Sequence, residues 1–150
     1  MASQDSDLAV RLHQLIATCT GAERGYRRSA EEALRNDLRD LCIDGADDNR
    51  LAASELRAWL PARLPDAQSG LAPGASGAAP RGWSAFRGSP SVQSDLSMLD
   101  DCRRCEAMAL EEYRDLLDRD LPVALRVVVE RQHDSVSRHH RQLCDLAPQT

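Results

Sequence analysis

The chain has 150 residues, of which 42% are hydrophobic and 29% charged, and its formal net charge is −5. This length suits one compact domain, or one domain with a long linker, and it is enough to bury a sizeable core without disulfide bonds. Because only 3% of the residues are aromatic, the core must be built mainly from Leu, Ala and Val. The acidic balance argues against nucleic acid as the main partner, since phosphate binding needs a net basic face.

The sequence predicts a cytoplasmic protein that does not associate with membranes. No apolar run approaches the roughly 20 residues that a membrane-spanning helix needs. The first residues, Met1 to Asp7, lack the basic and apolar regions of a signal peptide. An odd number of cysteines cannot form a complete set of internal disulfides, so free thiols are expected. They are Cys19, Cys42, Cys102, Cys105 and Cys144.

Apolar residues recur at helical spacing through the first sixty residues. This pattern predicts a first helix over about residues 7–33 and a second over 38–60, which Pro61 ends. Gly45 lies inside the second helix and costs it about 1 kcal/mol relative to alanine. The apolar positions are Leu8, Leu12, Leu15, Cys19, Ala22, Tyr26 and Ala33 in the first helix, and Leu38, Leu41, Cys42, Leu51, Leu56 and Trp59 in the second.

Residues 61–90 differ in character, because glycine and proline punctuate them throughout. They are interpreted either as a disordered linker or as the long crossover that some four-helix bundles contain. Trp83 and Phe86 favour the crossover, since they are three residues apart, as on one face of a helical turn, and a pure linker seldom contains aromatics.

Two more helices are predicted, over about residues 91–119 and 123–145. Pro122 falls in a first helical turn, where its missing N–H does no harm. Four helices with one long middle connection make the second and third helices parallel, which is the ferritin-like arrangement of a single-domain bundle over residues 1–150. The apolar positions are Val92, Leu96, Leu99, Cys102, Ala109, Tyr113 and Leu116, followed by Leu125, Val129, Val136 and Leu143.

Several short strings, taken in order, resemble a family of small bacterial ferritin-like four-helix-bundle proteins known only as a domain of unknown function. The resemblance covers residues 8–146 and implies the ferritin-like bundle, without an established activity. The chain departs from the family pattern where small residues on the second helix replace expected aromatics, which predicts thinner packing between the first two helices. The strings are Leu15–Cys19, Glu23–Tyr26, Ala53–Leu56, Arg81–Trp83, Cys102–Glu106, Glu112–Arg114, Asp120–Pro122 and Glu130–Gln132, and the departures are Cys42, Gly45 and Ala52.

A metal centre in the bundle core is one hypothesis. Di-iron bundles use a Glu from each of two helices and a Glu-x-x-His from each of the other two, because residues i and i+3 project from one helix face. Residues 130–133 match this motif. One polar residue near the middle of each helix would share a layer within about 5 Å, where a metal ion, iron or zinc, would neutralise the group. The candidate ligands are Glu23, Asp48, Glu106, Glu130 and His133.

Other interpretations compete with this site. The second helix has no Glu-x-x-His motif, and the carboxylates are also explained by a solvated face with ion pairs to Arg24, Arg50 or Arg103. Cys102 and Cys105 are interpreted as a core filler and a near-surface thiol, or as a redox pair or half of a zinc site completed by His133, His140 or Cys19.

His139 and His140 are expected to be mostly solvated, and His13 has no evident partner in the sequence. His139 and His140 stand beside Arg138 and Arg141, and His140 shares the apolar stripe of its helix and is expected to be half buried. No phosphate loop, nucleophile elbow or dinucleotide fingerprint occurs in the sequence.

Three functions follow from these patterns. The first is a non-enzymatic bundle that acts by binding or association, in stress adaptation as many ferritin-like relatives do, with a homodimer as one possible assembly. The second is a metal-binding or iron-handling protein, and the third is a thiol sensor or zinc protein that uses Cys102 and Cys105.

Overall fold

The computed structural model describes residues 2–60 and 94–146, which form four helices and no strand. Their bounds are α1 Ala2–Glu32, α2 Asn36–Arg57, α3 Asp95–Leu117 and α4 Val123–Asp145. The prediction of four helices is confirmed, with ends that differ by a few residues. The predicted crossover over 61–90, with Trp83 and Phe86, lies outside the described residues.

Each helix packs against two neighbours: α1 contacts α2 and α3, and α4 contacts α2 and α3. Neighbouring helices are antiparallel. Thr18 of α1, for example, meets Glu112 of α3, while the end of α1 meets Asp95 at the start of α3. Consequently α2 and α3 are parallel and lie across the diagonal, so α2 ends and α3 begins at opposite ends of the bundle.

Two apolar clusters fill the interior, one at each end of the bundle. Leucine and alanine dominate them, as the composition predicts, but the largest fully buried side chains are Tyr26 in one cluster and Tyr113 in the other. No helix in residues 2–60 or 94–146 combines the length and the apolar character that crossing a membrane demands.

Side chains from one helix satisfy the backbone groups at the end of another. The Asp95 carboxylate accepts hydrogen bonds from the backbone N–H groups of Leu34 and Arg35, at 3.0 and 2.8 Å, in the turn between α1 and α2. Arg126 of α4 donates to the carbonyl oxygens of Leu117, the last residue of α3, and of Arg119 in the turn that follows. These contacts tie the two hairpins to each other and fix the register of α4 on α3.

Arg103 closes the far end of α4. Its guanidinium group donates to the carbonyl oxygens of Leu143, Cys144 and Leu146 at 3.1 to 3.3 Å. A cation at the C-terminal end of a helix also interacts favourably with the helix dipole. The sequence offers Arg103 as an ion-pair partner for a candidate core carboxylate. In the structure it caps α4, and its Nη1 lies 3.7 Å from Oδ1 of Asp100.

Candidate functional site

A buried carboxylate and a buried imidazole face each other in the core between α3 and α4. Nδ1 of His139 lies 2.6 Å from Oε2 of Glu106, and the two side chains are 6% and 5% exposed. Nε2 of His139 lies 2.7 Å from the carbonyl oxygen of Leu41 on α2. The single imidazole therefore links three of the four helices.

The contacts of His139 determine its charge. The carbonyl oxygen of Leu41 only accepts hydrogen bonds, so Nε2 of His139 carries a hydrogen. An ionised Glu106 also accepts, so Nδ1 then carries the second hydrogen and the ring is an imidazolium. Burial alone would lower the pKa of His139, but the Glu106 hydrogen bond and charge outweigh it and raise the pKa to about 9. Burial likewise pushes the pKa of Glu106 up, yet the hydrogen bond from His139 holds it below its usual value. The pair is thus an ion pair at neutral pH.

Tyr26 of α1 completes the enclosure of this pair. Its ring packs edge-on against the His139 ring, with centroids 5.3 Å apart. Burial first, and the Glu106 charge second, raise the pKa of Tyr26 well above its usual range, so its hydroxyl stays protonated.

Gly45 of α2 makes the space that these two rings occupy. A Cβ atom at Gly45 would lie 2.9 Å from Cδ2 and Cε2 of Tyr26 and 3.0 Å from Cε1 of His139. From the sequence, Gly45 is expected only to lower the stability of the second helix. The structure shows that it also has a packing role. Where a bulky side chain was expected on the second helix, an aromatic ring from α1 fills the volume instead.

The second oxygen of Glu106 faces a second histidine, the one next to His139 in the chain. Oε1 of Glu106 lies 3.6 Å from Nδ1 of His140, whose side chain is 25% exposed. Nε2 of His140 lies 3.7 Å from Sγ of Cys144, one helical turn further along α4. A polar path thus leads from the buried carboxylate to the exposed Cys144 thiol.

A separate polar network lies two turns away, between α2, α3 and α4. The Tyr113 hydroxyl donates to Oε1 of Gln132 at 3.0 Å, and Nε2 of Gln132 donates to Glu55 and to the carbonyl oxygen of Ala52. Arg131 also donates to Glu55 at 2.8 Å. This network satisfies its buried polar atoms internally and forms the floor of an open groove between α2 and α4.

The five candidate metal ligands occupy different environments. Glu106 is buried and paired with His139. Glu23 is partly buried and forms an ion pair with Arg27 at 2.9 Å, while Glu130 is exposed, 4.0 Å from Arg126. Asp48 is exposed on α2.

His133 does not lie in the layer of Glu106. Its ring packs against Tyr113, with centroids 6.3 Å apart. The α4 residue at the level of Glu106 is His139, six residues later and so about 9 Å further along the helix axis. Glu106 and His133 were expected at one level because each lies near the middle of its helix. They lie at different levels because the turn between α3 and α4, and not the helix midpoints, sets the register of α4 on α3.

These positions do not fit a di-metal carboxylate centre. Among residues 2–60 and 94–146, no group of three or more His, Cys, Asp or Glu side chains is placed to hold a metal ion. The buried imidazole uses both ring nitrogens as donors and so has no lone pair for a metal. The metal-ligand set remains a prediction that metal analysis must decide.

Four of the five cysteines lie in the core. Cys102 is buried as predicted, but Cys105 is also buried at 1% exposure, so its expected place near the surface is wrong. Burial raises the pKa of Cys105 to about 11 and that of Cys19 to about 12, which makes both thiols inert. Cys144 is the exposed thiol among the five.

His139 is buried and not mostly solvated as predicted, and its spacing along α4 is the signal that identifies it. The residues that α4 turns towards the core follow steps of three and four, and His139 continues this series while His140 does not. The prediction placed His140 on the apolar stripe in place of His139, so the predicted buried face is wrong by one residue near the end of α4. The series is Leu125, Val129, Gln132, Val136, His139 and Leu143.

The fold and the core together define an all-helical protein whose four described helices surround a buried carboxylate–imidazolium pair. The chain belongs to the family described as "Domain of unknown function (DUF2383)", whose model matches residues 7–119. No curated protein matches the chain significantly. The matched region contains α3 with Glu106, whereas α4 with both histidines follows it.

Proposed function

We propose that this chain is a ferritin-like bundle protein of bacterial type that acts in the cytoplasm by binding or association, and not by catalysis at a metal centre. The topology supports the ferritin-like part. Neighbouring helices are antiparallel, and α2 and α3 are parallel and diagonal. A bundle with one long connection between its second and third helices has this arrangement.

The observation that carries the proposal is the way in which Glu106 and His139 satisfy each other. In a di-metal carboxylate bundle, inward carboxylates and imidazoles are partly unpaired until a metal ion neutralises them. Here the imidazolium supplies the opposite charge, and the Leu41 carbonyl takes its second N–H. The pair therefore carries no net charge, and no metal ion is needed to neutralise Glu106.

A metal-binding or iron-handling protein is the alternative, with Glu23, Asp48, Glu106, Glu130 and His133 as its ligands. This alternative requires α4 to shift or rotate so that His133 replaces His139 opposite Glu106. Such a movement would take His139 away from its two hydrogen-bond acceptors and would leave Tyr26 without its packed ring.

Metal analysis separates the two functions. The protein is purified from cells grown with added iron and zinc, and its metal content per chain and its oxidation of ferrous iron are measured. The proposal expects metal well below one ion per chain and no turnover. Stoichiometric metal that is lost in an Asp48→Asn, His133→Ala double variant would establish the alternative. These two substitutions leave the Glu106–His139 pair intact, so a loss of metal would not reflect collapse of the core.

Association is tested on the same preparation. If the protein acts by binding or association, we expect either a homodimer or a captured partner. If it acts in stress adaptation, we expect it to accumulate under stress. The mass from sedimentation equilibrium over a range of concentrations gives the oligomeric state. A monomer that shows ferrous oxidase activity would overturn the proposed function.

A further inference from the structure

One carboxylate, two consecutive histidines and one thiol form a continuous chain of polar contacts at the end of α4. Glu106 holds His139 with Oε2 and faces His140 with Oε1, and His140 in turn faces Cys144. The two histidines have opposite surroundings. Both nitrogens of His139 face oxygen acceptors, whereas His140 has a carboxylate on its Nδ1 side and a thiol on its Nε2 side.

This geometry selects the tautomer of His140. The carboxylate 3.6 Å from Nδ1 favours a hydrogen on that nitrogen, which leaves the lone pair of Nε2 directed at Sγ of Cys144 across 3.7 Å. A nucleophile, a neighbouring base and a third group that orients the base are the three parts by which an activated nucleophile is recognised. Because His139 locks the carboxylate in the core, the third part is rigid.

We propose that Cys144 is a reactive thiol, activated by His140, that exchanges with low-molecular-weight disulfides. His140 is the group that takes the thiol proton. Glu106 is a positioning residue, since it acts on the thiol only through His140.

Accessibility assigns the reaction to Cys144 and not to the other thiols. Cys144 is exposed, whereas Cys19, Cys42, Cys102 and Cys105 are all at most 1% exposed. Arg103 also donates to the carbonyl oxygen of Cys144, which fixes the backbone of this residue at the end of α4. With no second exposed cysteine in the described residues, the product is a mixed disulfide with the small molecule and not an internal bond.

The exchange balances without any further reagent. Nε2 of His140 accepts the Sγ proton of Cys144, and the thiolate attacks one sulfur of the disulfide R–S–S–R. The new Sγ–S bond forms as the old S–S bond breaks, and the electron pair leaves with the second sulfur as R–S⁻. The imidazolium of His140 then returns the proton to this leaving thiolate. A small thiol runs the same steps in reverse and restores Cys144.

The test measures the rate at which Cys144 reacts with a dipyridyl disulfide, whose released thiopyridone is followed by its absorbance. A thiol in water is only a few per cent ionised near neutral pH, so an adjacent base that removes the proton raises the rate by about tenfold. Counted per accessible thiol, the folded protein should therefore react about tenfold faster than the urea-unfolded chain at the same pH, in which all five thiols are accessible. Peptide mass analysis of the folded protein should place the adduct on Cys144.

His140→Gln should lower the rate by about tenfold, because glutamine keeps the size and polarity of the side chain but cannot take up a proton. His133→Gln, two turns earlier on the same helix and without contact to Cys144, should react like the parent. The proposal is overturned if the adduct in the folded protein forms on another cysteine, if His140→Gln reacts as fast as the parent, or if unfolding does not lower the rate per thiol. The comparison of folded and unfolded parent needs no variant, so it holds even if His140→Gln folds poorly.

Discussion

His139 and Glu106 form an ion pair in the core, with Nδ1 of the imidazole 2.6 Å from Oε2 of the carboxylate. The pair predicts a specific dependence of stability on pH. The pKa of His139 is raised from 6.5 to about 9, so the folded chain holds this proton more tightly than the unfolded chain. Its contribution to the free energy of unfolding, about 3 kcal/mol, is fully present below pH 6.5 and is lost as the pH rises through 9. Urea unfolding at a series of pH values measures this loss.

A variant identifies the group responsible for this decrease in the free energy of unfolding with pH. In His139→Gln the free energy of unfolding should be lower at neutral pH and should fall much less between pH 6.5 and 9. In His13→Gln, which changes a histidine far from the pair, the slope should match that of the parent. An unchanged slope in His139→Gln would show that another group causes it.

Replacing both members of the pair should cost less than the two single replacements added together. Glu106→Leu leaves a buried imidazolium without its counter-charge, and His139→Met leaves a buried carboxylate without its own, so each should cost about 3–5 kcal/mol. The double variant leaves neither charge behind. A double-mutant cycle from urea unfolding measures the coupling free energy, and additive effects would show that the two charges do not interact.

Gly45→Ala should destabilise the protein although alanine favours helix. The new Cβ would lie 2.9 Å from two atoms of the fully buried Tyr26 ring, and relieving such an overlap costs about 1–3 kcal/mol. A matched pair at an exposed site of α2, Arg50→Gly and Arg50→Ala, measures the intrinsic gain from glycine to alanine, about 1 kcal/mol. A gain at position 45 equal to that at position 50 would contradict the close packing.

Asp95→Ala should loosen the contact between the two hairpins. The carboxylate accepts from two backbone N–H groups, those of Leu34 and Arg35, and its removal should cost about 1–2 kcal/mol. Thermal unfolding measures the loss, and hydrogen exchange at these two amides locates it. Asp100→Ala is the control, because that exposed carboxylate lies on the same helix but has only a weak contact with Arg103.

The sequence predicted the four helices well because their apolar stripes are long and regular. Residues 123–145 were placed at their observed ends, since Pro122 marks the start and Val129 and Leu143 keep the period. The environment of Glu106 was harder to predict. Its burial followed from the stripe of its helix, but its partner depends on the register of α4 on α3, which the turn between the helices sets.

The two histidines show a second reason for the incomplete prediction. His139 and His140 are adjacent and share the same arginine-rich surroundings in the sequence, so composition does not separate them. A rotation of one residue about the helix axis decides which of them enters the core. Glycine at position 45 belongs to the same problem, because its purpose is visible only when Tyr26 and His139 arrive from two other helices.

The family match ends at residue 119, four residues before α4 begins, and this boundary has a consequence for expression of the matched segment by itself. A fragment cut there would retain a carboxylate facing a gap where α4 had been, together with the apolar sides of three helices. Such a fragment is expected to aggregate or to recruit a helix from another copy. The unit that folds therefore extends past the region that the family model matches.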